Sequence, residues 1–239
     1  MPKMPPKRKA TISLTASPSL EASAEEEYSE KKLKHETETA TAKSEFKSYP
    51  ISKINRLIEP GPVLLVSTGA VANSTHNLMT IGFHMMLQHT SPTLISVCIG
   101  PWDHSFKALS ETKECVLSIP DASIAEKVVD IGNCSGDQVD KWTDFGLDPL
   151  EAGKVSAPLV GGPGIIANVE CVVEDDGMAD KYNMWILRVV KGWVRASAGS
   201  DGMRDGMRMF HHRGDGRFAV DGEVLDLRER MVMWKEFQD

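Results

Sequence analysis

Between Val63 and Val220 the large apolar residues come in short runs separated by glycine and small polar residues. A chain patterned this way can build strands and short helices but not a bundle of long helices. Val63 to Thr68 reads as a strand stopped by Gly69 and Asn73. Met79 to Leu87 alternates, with Met79, Ile81, Phe83, Met85 and Leu87 on one face, and predicts one half-buried strand. Leu94 to Ile99 is nearly all apolar and reads as a central strand. Glu114 to Ile119, Ile165 to Glu174 and the β-branched, aromatic stretch Tyr182 to Val194 extend the set. Arg217 to Val220 and Glu223 to Leu225 flank Asp221-Gly222, a two-residue hairpin signal. Asp103 is placed to cap a short helix carrying Phe106 and Leu109. Asp121 is placed to cap a second, with Ile124, Ala125, Val128 and Val129 inward and Gly132 at its end. Six or more strands that do not alternate with long helices disfavour a doubly wound parallel sheet. The expected class is mainly β (α+β), an antiparallel barrel with short peripheral helices.

Residues 1–48 differ from the rest. They are rich in Lys, Glu, Ser, Thr, Ala and Pro and nearly free of large apolar residues. Such a segment cannot bury enough surface to offset its ordering entropy, which predicts a disordered tail before a domain spanning 49–239. Glu25 to Lys34 can form a transient helix, and Lys7-Arg8-Lys9 is a weak match to a nuclear address. A second pattern-free stretch, Arg195 to Arg208, reads as a mobile loop.

The formal charge of −7 argues against an extended nucleic-acid surface. No run of apolar residues is long enough for a membrane helix, and the N-terminus lacks the apolar core of a secretory signal. Cys98, Cys115, Cys134 and Cys171 form no closely spaced pair, so they read as reduced thiols in a cytoplasmic compartment rather than zinc ligands. Three of them lie in apolar runs. Cys134 lies in a Gly/Asn/Ser loop, where it fits either a redox role or a small residue tolerated beside a cofactor.

Three junctions carry the chemistry. At Asn73 to Thr80, Asn77 and Thr80 bring an amide and a hydroxyl to the entry of a strand. At Pro101 to Ser105, a helix start offers N–H groups, with His104 and Ser105 beside them and Trp102 free either to stack on a ring or to sit in the core. At Gly132 to Lys141, Gly132 and Gly136 allow close backbone approach and Ser135 adds a hydroxyl. Lys141 can pair with a phosphate or with the neighbouring Asp137 and Asp140. Later, His211-His212-Arg213-Gly214 suggests an anion or ring contact. Adjacent strand histidines face opposite ways and cannot share a metal. There is no G-x-G-x-x-G after a strand, Gly161-Gly162-Pro163-Gly164 lacks a P-loop ending, and no serine sits in G-x-S-x-G. No catalytic acid–base dyad stands out.

Taken in order, Asn77-x-Met79-Thr80-x-Gly82, Asp103-x-Ser105-Phe106, Ile119-Pro120, Gly132-Asn133-Cys134-Ser135-Gly136 with Asp140-Lys141, and His211-His212-Arg213-Gly214-x-Gly216-x-Phe218 resemble the flavin reductase-like family, including its flavoredoxin branch. The likeness covers roughly Ile51 to Leu225. It implies a Greek-key split β-barrel that binds FMN and forms a homodimer, with NADH or NADPH as hydride donor and a small molecule or protein as electron acceptor. It further implies that Asn77, Met79 and Thr80 lie along the flavin, with Ile81, Gly82 and His84 in the same neighbourhood. Pro101, Trp102, His104 and Ser105 would approach the phosphate or ribityl chain. Gly132, Ser135, Gly136 and Lys141 would close the pocket, and His211 and His212 would reach it from late in the chain. An electron carrier without its own nicotinamide turnover, and a barrel that has lost FMN, are the alternatives.

Overall fold

A computed structural model describes residues 61–195 and 207–223 and the single positions 50, 225, 227 and 230. The expectations for the tail, for Lys7-Arg8-Lys9 and for the interior of the Arg195 to Arg208 loop lie outside the described residues. The described strands and helices all belong to one compact unit, Ser52–Asp239.

Eleven strands are described: β1 (Leu64–Thr68), β2 (Asn77–Ile81), β3 (His84–Gln88), β4 (Leu94–Cys98), β5 (Glu114–Pro120), β6 (Asp148–Leu150), β7 (Leu159–Gly161), β8 (Ile165–Asp175), β9 (Met184–Val194), β10 (Phe210–His212) and β11 (Phe218–Val220). The helices are α1 (Ser105–Thr112), α2 (Ala125–Asn133), α3 (Lys141–Asp144) and α4 (Ala179–Tyr182). Seven strands form one antiparallel sheet in the order β2-β1-β5-β8-β9-β4-β3. The pairs β6-β7 and β10-β11 are separate ladders.

That order fixes the curvature. β2 and β3 are the two edges of the sheet, yet only Gly82 and Phe83 connect them. Laid flat, seven strands would hold their edges about 29 Å apart. The steps from Ile81 to His84 can span at most about 11 Å. The sheet therefore curls until its edges nearly meet, a barrel split along one seam.

Because both faces of the curled sheet are covered, β1 is buried along its whole length. Leu64 and Val66 face a core shared with Ile81, Val97, Leu109 and Trp185. Val63 and Leu65 face a second core with Leu78, Val128, Ile131 and Phe210, covered by α2 and the β10-β11 hairpin.

Several expectations are corrected. Met79 to Leu87 is two strands, because the chain turns the seam at Gly82-Phe83. Phe83, Met85, Met86 and Leu87 are exposed. The hairpin does not turn at Asp221-Gly222, and neither Glu223 nor Leu225 lies in a strand. It turns at Arg213–Arg217, where Gly214, Asp215 and Gly216 all adopt positive φ and the glycines make that run accessible. Asp221 instead accepts from the Met209 N–H at 3.0 Å and pairs with His211 Nε2 at 2.9 Å. Asp103 does not cap α1. Its carboxylate turns back to accept the Gly100 N–H at 2.8 Å, and the N-cap position belongs to His104. Asp121 does cap, accepting the Ser123 N–H at 2.9 Å, but through a 3-10 turn that precedes α2. Gly132 lies inside α2 rather than ending it, since the helix continues to Asn133. Tyr182 belongs to α4 and not to β9.

Candidate functional site

The three junctions converge on one cleft of about 330 Å³. From β2 come Asn77, Met79 and Thr80; from the turn before α1 come Trp102, Asp103 and His104. The loop after α2 supplies Ser135 and Gly136, and Gly132 and Lys141 close the far wall.

Each wall is held by a specific contact. Asn77 is buried, and its Nδ2 donates to Ser105 Oγ at 2.9 Å, fastening β2 to the first turn of α1. A Cβ on Gly136 would fall 2.2 Å from Asn77 Oδ1, so only glycine lets the third junction lie against the first. Thr80 Oγ1 donates to the Val128 carbonyl at 2.6 Å and fastens β2 to α2. A Cβ on Gly132 would stand 3.2 Å from Thr80 Cβ, which accounts for a glycine within the helix. The Ser135 hydroxyl bonds the Asp137 carboxyl and, as the largest influence, holds it below its ordinary range.

Lys141 is 4% exposed, and its Nζ donates to the Ile131 carbonyl at 2.9 Å. The alternative of a surface ion pair with Asp137 or Asp140 is not realised. Asp140 caps α3 through the Trp142 N–H and the Thr143 hydroxyl. Among the described residues no carboxylate lies within ion-pair distance of Lys141. Burial pushes its ammonium below the ordinary lysine range, against the opposing influence of Cys134 and Asp103. A buried ammonium with one carbonyl partner still has donors to give, and an anion in the cleft would satisfy them. With the His104 imidazole lining the same cleft, the donor set suits a phosphate ester.

The remaining predicted residues fall into three groups. Ile81 and Gly82 line two neighbouring clefts that share Thr80 with the first. His212 lines one of these, its ring 5.0 Å from that of Phe218. Ser105 is buried beneath the first cleft as the partner of Asn77. Pro101, His84 and His211 line none of the three clefts. His84 Nε2 meets the Pro62 carbonyl at 2.6 Å, and burial lowers its pKa. His211 is committed to Asp221. Trp102 is 75% exposed, which removes the alternative of a core tryptophan.

Sequence reading missed Asp103, Asn133 and Gln138 as lining residues, and also Phe83, Cys98 and Tyr182 around the second cleft. The first three sit within junctions that were recognised. The last three could not be assigned without the sheet order, which brings the β3 edge and α4 to the end of β4.

A curled antiparallel sheet split along one seam, with a few short helices, is the fold of FMN-binding split barrels. The sequence model for the flavin reductase like domain matches residues 56–216, and the chain belongs to that family. Solved structures show the same fold at low identity. An FMN-binding domain of a flavin reductases-like enzyme from Shewanella baltica OS155 aligns with a TM-score of 0.62 at 20% identity, covering 75% of this chain and 96% of that one. Flavoredoxin of Desulfovibrio vulgaris (Miyazaki F) gives 0.61 at 22% identity, covering 70% and 90%. Nitrilotriacetate monooxygenase component B from Bacillus cereus gives 0.61 at 21%, covering 75% and 95%.

Proposed function

We propose that this chain binds FMN in the cleft around Asn77, Thr80 and Lys141 and works as an NAD(P)H-dependent oxidoreductase. The observation that carries the reading is Lys141, a buried ammonium on the cleft wall without a carboxylate partner among the described residues. FMN, when bound, supplies a ring that takes up hydride and releases electrons. The chain's own part is to bind and orient. Lys141, His104 and Ser135 would hold the phosphate end, and Met79 to Ile81 of β2 with Gly82 after it would support the ring. Such chemistry would ask the protein to position the ring rather than to supply an acid–base dyad.

The family and the Shewanella and Desulfovibrio structures support a flavin cofactor. That NADH or NADPH donates the hydride, and that a small molecule or protein accepts the electrons, rests on the resemblance alone. A homodimer is part of the proposal, supported by the exposed apolar row Phe83, Met85, Met86 and Leu87 at the β3 edge. A cytoplasmic setting is supported by four free cysteines. No helix among the described residues is long and apolar enough to cross a membrane.

The test is an absorbance spectrum of the purified protein with and without FMN, followed by anaerobic NADH and then NADPH. Flavin bands that shift on binding and bleach with one nucleotide are expected. Bands that persist with both would favour an electron carrier reduced by a partner. No uptake of FMN would end the flavin reading.

A further inference from the structure

Cys115 on β5 and Cys171 on β8 stand directly opposite one another in an antiparallel ladder whose register runs unbroken from Glu114 to Ile119. Residues opposed in this way project to the same face of the sheet. Both side chains are fully buried in the core that also holds Leu64, Leu117, Trp185 and Leu187. The Cys115 thiol is in contact with the Cys171 thiol, and this contact, ahead of burial, pushes its pKa well above the ordinary value. The Cys171 thiol is aimed at the Val169 carbonyl, 3.7 Å away. Cys134 and Cys98 line the first and second clefts; Cys115 and Cys171 line neither.

The backbone already has the spacing that a disulfide needs. The Val173 N–H donates to the Lys113 carbonyl at 2.8 Å, so those two residues form a hydrogen-bonded pair of the ladder. Pair types alternate along an antiparallel ladder. Two residues further on, Cys115 and Cys171 are therefore of the same type, with Cα atoms about 5.5 Å apart. Disulfides most often span about 5.5–6 Å between Cα atoms. Bringing the two sulfurs from contact to a bond of about 2.05 Å then asks for side-chain rotation and for no displacement of either strand.

We infer that Cys115 and Cys171 are a latent cross-strand disulfide, closed by hydrogen peroxide and reopened by thiols. One sulfur attacks a peroxide oxygen and becomes a sulfenic acid, with release of water. The other sulfur displaces the hydroxyl, which leaves as a second water. The two thiols give up two electrons and two protons, and the peroxide takes them. Burial excludes larger oxidants and keeps the Cys115 thiol protonated, so the bond forms slowly, through local openings of the ladder. Once formed, it ties the central strand β8 to its neighbour β5. It also closes a loop containing α2, α3 and the Gly132 to Lys141 wall of the first cleft, and a disulfide across a long loop restricts the unfolded chain most. The bond does not depend on the flavin reading. That reading adds a source of oxidant, because a reduced flavin that meets dioxygen releases hydrogen peroxide.

The test exposes the full chain, reduced and then freed of reductant, to hydrogen peroxide. Remaining thiols are alkylated in denaturant, and the peptides are mapped by mass spectrometry without reduction. The expected result is one linked pair, Cys115 with Cys171, lighter by two hydrogens. The thermal midpoint should rise by roughly 5–10 °C and return to its starting value with dithiothreitol. A double variant, Cys98→Ser with Cys134→Ser, should show the same link and the same rise, whereas Cys171→Ala should show neither.

Peroxide treatment that leaves Cys115 and Cys171 open to alkylation would overturn the proposal. So would a link that recruits Cys98 or Cys134, or a Cys115–Cys171 link that leaves the midpoint unchanged or lowers it. The expected link and rise in a chain that takes up no FMN would end the flavin reading and leave the disulfide standing.

Discussion

Asn77 Nδ2 and Ser105 Oγ, 28 residues apart in sequence, meet at 2.9 Å in a buried hydrogen bond. Gly136 lies against the other side of the same amide. One asparagine therefore joins all three junctions of the cleft. Its value is geometric: it fixes where β2, the start of α1 and the loop after α2 stand relative to one another.

Replacing Gly136 with Ala would drive a Cβ to 2.2 Å from Asn77 Oδ1. Overpacking of this kind costs about 1–3 kcal/mol, and the easiest relief is to move Asn77 off Ser105. The expected outcome is a lower thermal midpoint together with weakened FMN uptake. Wild-type FMN affinity in a folded Gly136→Ala protein would remove Asn77 from the cofactor's support.

Lys141→Met keeps the bulk of the side chain and removes its charge. A charge-assisted hydrogen bond contributes about 1.5–3 kcal/mol, so FMN should bind roughly ten- to a hundredfold more weakly. Riboflavin, which lacks the phosphate, should bind both proteins alike. If riboflavin loses as much as FMN, Lys141 serves the ring or the fold rather than the phosphate.

Glu170 is fully buried in β8. Its carboxylate accepts from the Gly153 N–H at 2.9 Å, from Lys154 N–H and from Trp193 Nε1 at 2.6 Å. Burial alone would raise its pKa, but these donors outweigh it and leave the group below its ordinary value. Because the folded value is the lower one, the stabilisation is complete above the unfolded pKa of about 4.5 and is lost as pH falls through the folded value. Glu170→Gln should destabilise the protein by about 2–4 kcal/mol at neutral pH and flatten the acid limb of its stability curve. Denaturant unfolding at several pH values measures both.

His84 carries a linkage of the same sign at higher pH. Burial lowers its pKa, so the unfolded chain binds the proton more readily. Stability should fall as pH drops below about 6.5, and the fall should stop near the lower folded value. His84→Gln, able to reach the Pro62 carbonyl without titrating, should lose that segment of the pH profile. A profile identical to wild type would assign the slope to another group.

Much of the fold was legible because strand periodicity and glycine punctuation are local. β1, β4, β5, β8 and most of β9 lie where short apolar and β-branched runs placed them. The cleft residues of the three junctions were legible too, as small polar residues at strand ends. What escaped was non-local. The break at Gly82-Phe83 carries no turn signature; it exists because β2 and β3 form opposite edges of the sheet. Asp221-Gly222 has a strong local turn preference, but the Asp221 carboxylate found better partners in the Met209 N–H and His211. Lys141 stood beside two aspartates in sequence, and α3 turned it inward, away from both.

The two-residue passage from β2 to β3 closes the barrel by covalent continuity where no ladder closes it. A chain cut between Gly82 and Phe83 would keep every inter-strand hydrogen bond and lose the tether that obliges the sheet to bend. A few residues inserted there would act in the same direction, as slack. Since Thr80 and Gly82 between them border the three clefts at this seam, the length of this tether bears on the aperture of the binding surface, much as a drawstring does on the mouth of a bag.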